Sequence, residues 1–141
     1  MLKNILVALD GSEIAERVIE ILDELVLSQE SKVILCHVFP PPESEKELPA
    51  DRPQPESLTL TYFQIEKQLQ SYQKKFSFDS ELELVTGDPA DEIIRIANIY
   101  QADLIIIGSR GLTGIKRIVQ GSVSSQVVEE ANCSVLVVKS N

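Results

Sequence analysis

The chain has 141 residues, with 22 Asp and Glu against 13 Lys and Arg, a net charge of −9 and a pI near 4.6. That length suits one domain with a real core, and ordinary apolar and charged fractions read as soluble and globular. The acidic balance argues against a general nucleic-acid or anionic-membrane surface, which needs a basic face, but not against one small anion held by local N–H groups.

Cysteine and histidine usage narrows the chemistry. Cys36 and Cys133 stand far apart among apolar residues and read as two buried, reduced thiols. With His37 the single histidine, no Cys-x-x-Cys and no His pair, a zinc or non-haem iron site is not expected. No Gly-x-Ser-x-Gly supports a triad with His37 as base. The apolar opening run meets a charge at Asp10, too early for a signal peptide or a membrane span. A cytoplasmic protein is therefore expected, and Asn132-Cys133-Ser134 reads as a chance sequon.

Taken in order, residues 3–9 end in an unbroken apolar run, the signature of a strand covered on both faces. After Asp10-Gly11, Ser12 is placed to cap a helix, with Glu13 and Glu16 in its first turn. Ile14, Val18, Ile21, Leu22 and Leu25 recur at helical spacing to about residue 29. Residues 32–39 form the second strand. Residues 40–57 hold six of the seven prolines and read as a mobile, acidic, Pro-rich insertion, either a spacer or a lid, unable to continue a strand or a helix. Leu58, Tyr62, Ile65, Leu69, Tyr72 and Phe76 mark a second helix over 58–76. A third strand covers 80–86. Asp88 caps a third helix with Pro89 at its first position, carried by Ile93, Ile96, Ala97 and Tyr100. A fourth strand spans 102–107. Val123, Val127, Val128 and Ala131 carry a fourth helix, and 134–139 a fifth strand. The βαβαβαβαβ alternation predicts one α/β domain over 1–141, a doubly wound, Rossmann-like parallel sheet with helices on both faces.

Four of the six glycines lie between 108 and 121, directly after the fourth strand. Glycine lets another group approach the backbone, and a strand, glycine loop and helix start together make a concavity whose N–H groups attract an anion. If the strand order is 3-2-1-4-5, which the sequence alone does not fix, the first and fourth strands are neighbours at the switch point, and Asp10 and Gly108 meet across the crevice. Asp10 either accepts from ribose hydroxyls and helps hold a divalent ion on phosphates, or only caps a turn. Gly108 and Gly111 allow close approach, while Gly121 and Ser122 open the last helix, where Ser122 can cap, bind phosphate, or do both. Arg110, Lys116 and Arg117 are the loop's cations; as solvated surface charges they need no ligand, and phosphate contact suits Arg110 before the other two. The loop is neither a Walker A motif, lacking Gly-Lys-Ser/Thr, nor Gly-x-Gly-x-x-Gly, and it opens the last helix rather than the first.

The pattern Gly108-x2-Gly111-x9-Gly121-Ser122 resembles the ATP-binding motif of the universal stress protein family. The likeness runs along the chain: Ile-Leu-Val-Ala-Leu-Asp-Gly-Ser at 5–12, Cys36-His37-Val38, Ala-Asp-Leu-Ile-Ile-Ile-Gly-Ser-Arg-Gly at 102–111, and Ser-Val-Leu-Val-Val-Lys at 134–139. The resemblance implies the order 3-2-1-4-5 and membership of the nucleotide-binding members that keep the glycines. It implies adenine near Ala8 and Val38, with Asp10 by the ribose and Leu9 also among the nucleotide-binding residues. It further implies phosphates along Gly108, Ser109, Arg110, Gly111, Gly121, Ser122, Val123 and Ser124, often with Mg2+ or Mn2+. It also implies a homodimer through the last strand, and Val135 to Val138 form an apolar edge that wants a partner.

Two classes of function fit. One is a regulatory ATP-binding stress-response protein whose nucleotide state sets partner binding. The other is an ATPase or nucleotidyl-transfer enzyme of the same architecture. Fast transfer needs a positioned base or a strong cationic clamp, and beyond Asp10 and Arg110 no such group stands out, so at most slow hydrolysis is expected.

Overall fold

The computed structural model of the chain describes residues 2–9, 14–25, 30–41, 54–76, 79–108 and 122–139. Its strands are β1 (Asn4–Ala8), β2 (Lys32–Phe39), β3 (Asp79–Thr86), β4 (Leu104–Gly108) and β5 (Ser134–Val138). Its helices are α1 (Ile14–Glu24), α2 (Gln54–Gln73), α3 (Pro89–Tyr100) and α4 (Ser122–Glu130). All four strand pairings are parallel, in the order β3-β2-β1-β4-β5. The expected doubly wound sheet is therefore the observed one.

Strand alternation divides the interior into two cores. On one face Ile5, Val7 and Leu9 of the first strand segment join Val33 and Leu35 of β2 and Ile106 of β4, beneath α1 and α2. On the other, Leu6, Ile34, Cys36, Ile105 and Ile107 lie beneath α3 and α4. The central strands are apolar on both sides because both sides are covered. Ile5, Leu6, Ile34, Leu35, Ile105 and Ile106 are fully enclosed, each worth roughly 1.5–3 kcal/mol on leaving water.

The helices follow their apolar spacing, with local departures. α1 buries Ala15, Val18, Ile19 and Leu22. Its expected cap, Ser12, and Glu13 lie outside the described residues. Asp88 caps α3 as expected, accepting from the Asp91 N–H at 3.1 Å with Pro89 next. Gly87 just before it has φ +154°, a backbone conformation that residues with a Cβ rarely adopt, so a substitution there is strained.

Three expectations are corrected. α2 begins at Gln54, inside the segment expected to be non-helical over 40–57. Pro55 falls in its first turn, where the missing N–H would have no intrahelical acceptor anyway, so proline is tolerated there. Positions 42–53, where the spacer-or-lid question falls, lie outside the described residues. Tyr62 and Val128, read as core positions, are 40% and 52% exposed. Tyr62 instead stacks on Phe39 (centroids 5.6 Å) beyond the covered part of the sheet, while Val127 fills the α4 core position. Cys133, expected to be buried, is half-buried because it leads into an edge strand with one neighbour.

At the N-terminal end of the strands, Asp103 clamps β1 to β4. Its carboxylate accepts from the N–H groups of Lys3 and Asn4, both at 2.9 Å, while its own N–H donates to the Asn4 carbonyl at 2.7 Å. The hydrogen bond from Asn4, then that from Lys3, holds the Asp103 carboxyl below its ordinary range. A depressed folded-state value means the contribution is present above the unfolded pKa and is lost as pH falls through the folded one. Asp103→Asn is therefore expected to lower Tm by a few degrees at pH 7, the gap to the parent closing below about pH 4 in thermal denaturation. A gap independent of pH would assign the loss to something other than the charge.

Candidate functional site

Parallel pairing brings the C-terminal ends of β2, β1 and β4 together at the point where the strand order turns. Ala8, the last residue of β1, pairs with Cys36 on one side and Ile107 on the other. One step on, the Leu9 N–H donates to the Cys36 carbonyl at 2.8 Å, and Gly108 closes β4 against Val138 of β5. Val38 pairs with Val85 of β3. The side chains of Ala8, Val38, Val85, Val123 and Val137 all pack partly buried against the core on the α3–α4 face. They form a half-open apolar lining, or shelf, along the sheet's C-terminal rim, on which an apolar ring face can rest.

The helix starts around this shelf differ in charge. α1 carries Glu16 in its first turn, and α3 carries Asp91 and Glu92 behind the Asp88 cap. The first turn of α4 carries no acid. A helix N-terminus presents N–H groups without intrahelical partners and a partial positive charge. At α3 carboxylates compensate these, whereas in the first turn of α4 no carboxylate competes with an incoming anion. Ser124 in this turn is buried although polar, and with Ser125, Val128 and Val137 it lines a shallow groove between α4 and β5.

Of the site residues expected from sequence, the structure thus gathers Ala8, Val38, Gly108, Ser122, Val123 and Ser124 at one rim of the sheet. Leu9 lies at the same rim, but its side chain enters the α1–α2 core and its backbone is engaged in strand-end hydrogen bonds. Asp10, Ser109, Arg110, Gly111 and Gly121 lie outside the described residues. Among the described residues no group of three or more His, Cys, Asp or Glu side chains could hold a metal ion.

The sequence reading gave His37 no place at this site, and here the structure adds to it. His37 is buried near the end of β2, and its Nδ1 lies 2.8 Å from the carbonyl oxygen of Leu9. A carbonyl can only accept, so Nδ1 carries the proton. The ring also meets Phe39 edge-on at 4.5 Å, and Phe39 stacks on Tyr62 of α2. The available signal was period-2 alternation: position 37 falls on the same covered face as Val33 and Leu35, and a polar group there needs a partner.

A model of the universal stress protein family matches residues 1–139, and the chain belongs to that family. It is 30% identical to Universal stress protein Sll1388 of Synechocystis, over 96% of this chain and 97% of that one. It is also 30% identical to Universal stress protein MJ0577 of Methanocaldococcus jannaschii, over 99% and 96%. The solved structure of MJ0577 superposes with a TM-score of 0.85 at 31% identity, covering 100% of this chain and 98% of that chain. Two more distant proteins share the fold: a universal stress protein solved in complex with cAMP (TM-score 0.70, 22% identity) and a family member from Arabidopsis thaliana solved with AMP bound (TM-score 0.59, 24% identity).

The shelf's floor offers a chemical probe of its packing. Burial, and secondarily the Glu83 carboxylate, pushes the Cys36 thiol up to about 12, while half-buried Cys133 is raised by burial. Iodoacetamide at pH 8 is expected to alkylate Cys133 first and Cys36 only on unfolding, as read by peptide mass spectrometry. Equal rates at the two thiols would mean that the sheet's C-terminal rim is open to its core.

Proposed function

We propose that this chain is a homodimeric, ATP-binding universal stress protein of the glycine-motif subgroup, whose nucleotide state modulates its interaction with a protein partner. The observation that carries this reading is the acid-free first turn of α4, placed after the strand that pairs with β1 and beside an apolar shelf at the switch point. Phosphate is favoured at such a helix start, and the Gly108-x2-Gly111-x9-Gly121-Ser122 spacing supplies the backbone approach. Adenine would lie on the Ala8–Val38 side. Two proteins of the same fold hold adenine nucleotides, cAMP and AMP. The case for this chain rests on its own glycine pattern and rim.

In this reading Asp10 faces the ribose, and Ser109, Arg110, Gly111, Gly121, Ser122, Val123 and Ser124 surround the phosphates. A divalent ion would ride on the phosphate oxygens, with Asp10 as the protein-side oxygen ligand, since Mg2+ is usually bound by one or two carboxylates together with substrate phosphates. One domain over 1–141 acting in the cytoplasm fits the family match and the two free thiols; no described helix is long and apolar enough to cross a membrane.

The two edges of the sheet favour β5 as the dimer seam. β3 carries Asp79, Glu81 and Glu83, with Glu81 paired to Lys32 and Glu83 accepting from the Tyr100 hydroxyl at 2.5 Å. Charges along an edge repel a further strand. β5 offers Val135, Leu136 and Val137, all half-buried and none charged. Antiparallel pairing of two β5 strands about a twofold axis would cover them.

Two outcomes are expected. ATP with Mg2+ raises Tm, and Gly121→Val abolishes the rise while leaving the nucleotide-free Tm within a few degrees; a variant that keeps the full shift would remove Gly121 from the cradle. Val137→Lys, whose new ammonium can reach solvent along the groove beside exposed Val128, gives a folded monomer by circular dichroism and light scattering. A persistent dimer would place the interface away from β5.

A further inference from the structure

We infer that His37 is a positioning residue for nucleotide binding, its Nδ1–H holding the Leu9 carbonyl so that the chain leaves β1 at a fixed point on the crevice lip. The inference rests on the nucleotide reading above.

The β1–β2 ladder ends with the Leu9 N–H donating to Cys36 at 2.8 Å. Beyond it, among the described residues, the Leu9 carbonyl is met by the imidazole of His37, also at 2.8 Å. Leu9 is therefore tied through both of its peptide groups to successive residues of β2, and Asp10 follows it directly in sequence. His37 is itself fixed. It is 8% exposed, its ring abuts Phe39 at 4.5 Å, and Phe39 is stacked on Tyr62 at 5.6 Å. Since Val38 lies between these two side chains in sequence and points to the opposite face, the ring pair also steadies the strand that carries the shelf's valine. A buried donor with a locked ring is the kind of support that keeps a binding edge pre-organised, and pre-organisation is read as affinity.

Two substitutions separate the donor from the ring. His37→Phe keeps a ring edge against Phe39 and removes the N–H. His37→Asn places an amide N–H where Nδ1 stood. Mg2+-ATP titrated calorimetrically into the full chain is expected to bind the Phe variant about tenfold more weakly or worse, with the Asn variant within about threefold of the parent. In nucleotide-free protein, hydrogen exchange of the Leu9 amide is expected to quicken in the Phe variant and to recover in the Asn variant. Nitrogen-15 NMR of the parent is expected to show Nδ1 protonated at neutral pH, a reading that needs no variant to fold.

Parent-like affinity of the Phe variant, equal losses in both variants, unchanged exchange at Leu9, or a neutral ring protonated on Nε2 would each overturn the assignment. If the parent itself fails to bind ATP, the nucleotide reading falls, and with it the role in binding. Exchange at Leu9 then still decides separately whether His37 holds the strand end.

Discussion

β1 is hydrogen-bonded in register to β2 on one side and to β4 on the other, and the remaining architecture follows from that double pairing. A parallel strand flanked on both edges and covered on both faces has no solvent side, which is why its side chains from Ile5 to Val7 are fully buried. The chain leaves β1 through α1 toward β2 but enters β4 from α3, and right-handed crossovers then place the two helix pairs on opposite faces. The strand ends flanking the turn in strand order cannot both be covered by their own connections. A crevice at the C-terminal rim results from topology, and the residues at Ala8, Val38 and Gly108 decide what it suits.

Charge then differentiates the rim. The protein is strongly acidic, and the helix starts at α1 and α3 are acidic as well. An anion entering against that field needs a local exception, and the first turn of α4 is one. The same asymmetry governs the edges of the sheet, since β3 is guarded by carboxylates while β5 is apolar. One distribution of acids thus directs both the proposed ligand and the proposed second copy of the chain.

Much of the fold was legible in the sequence because the unbroken apolar runs at β1, β2 and β4 announce buried parallel strands, and Asp88-Pro89 announces a helix start. The boundaries of β2 and α3 follow directly from those signals. The start of α2 was not legible, because proline density around 40–57 looks the same whether Pro55 breaks a helix or occupies its first turn. Tyr62 and Val128 match the helical period of their neighbours, but period alone does not say how far the sheet extends beneath a helix. At the site, the shelf residues Ala8 and Val38 were accessible through the family resemblance alone. His37 was not, because its partner is a backbone carbonyl twenty-eight residues away in sequence, a contact that only the β1–β2 register creates.

The proposed site puts an adenine nucleotide at the rim of this sheet, by the α4 start. Native mass spectrometry of the full chain in millimolar Mg2+-ATP tests it most directly. A mass increment of one adenine nucleotide per chain is expected, absent in a Gly121→Val chain under the same conditions. Spectra showing only the unliganded protein, or an equal increment in both chains, would contradict it.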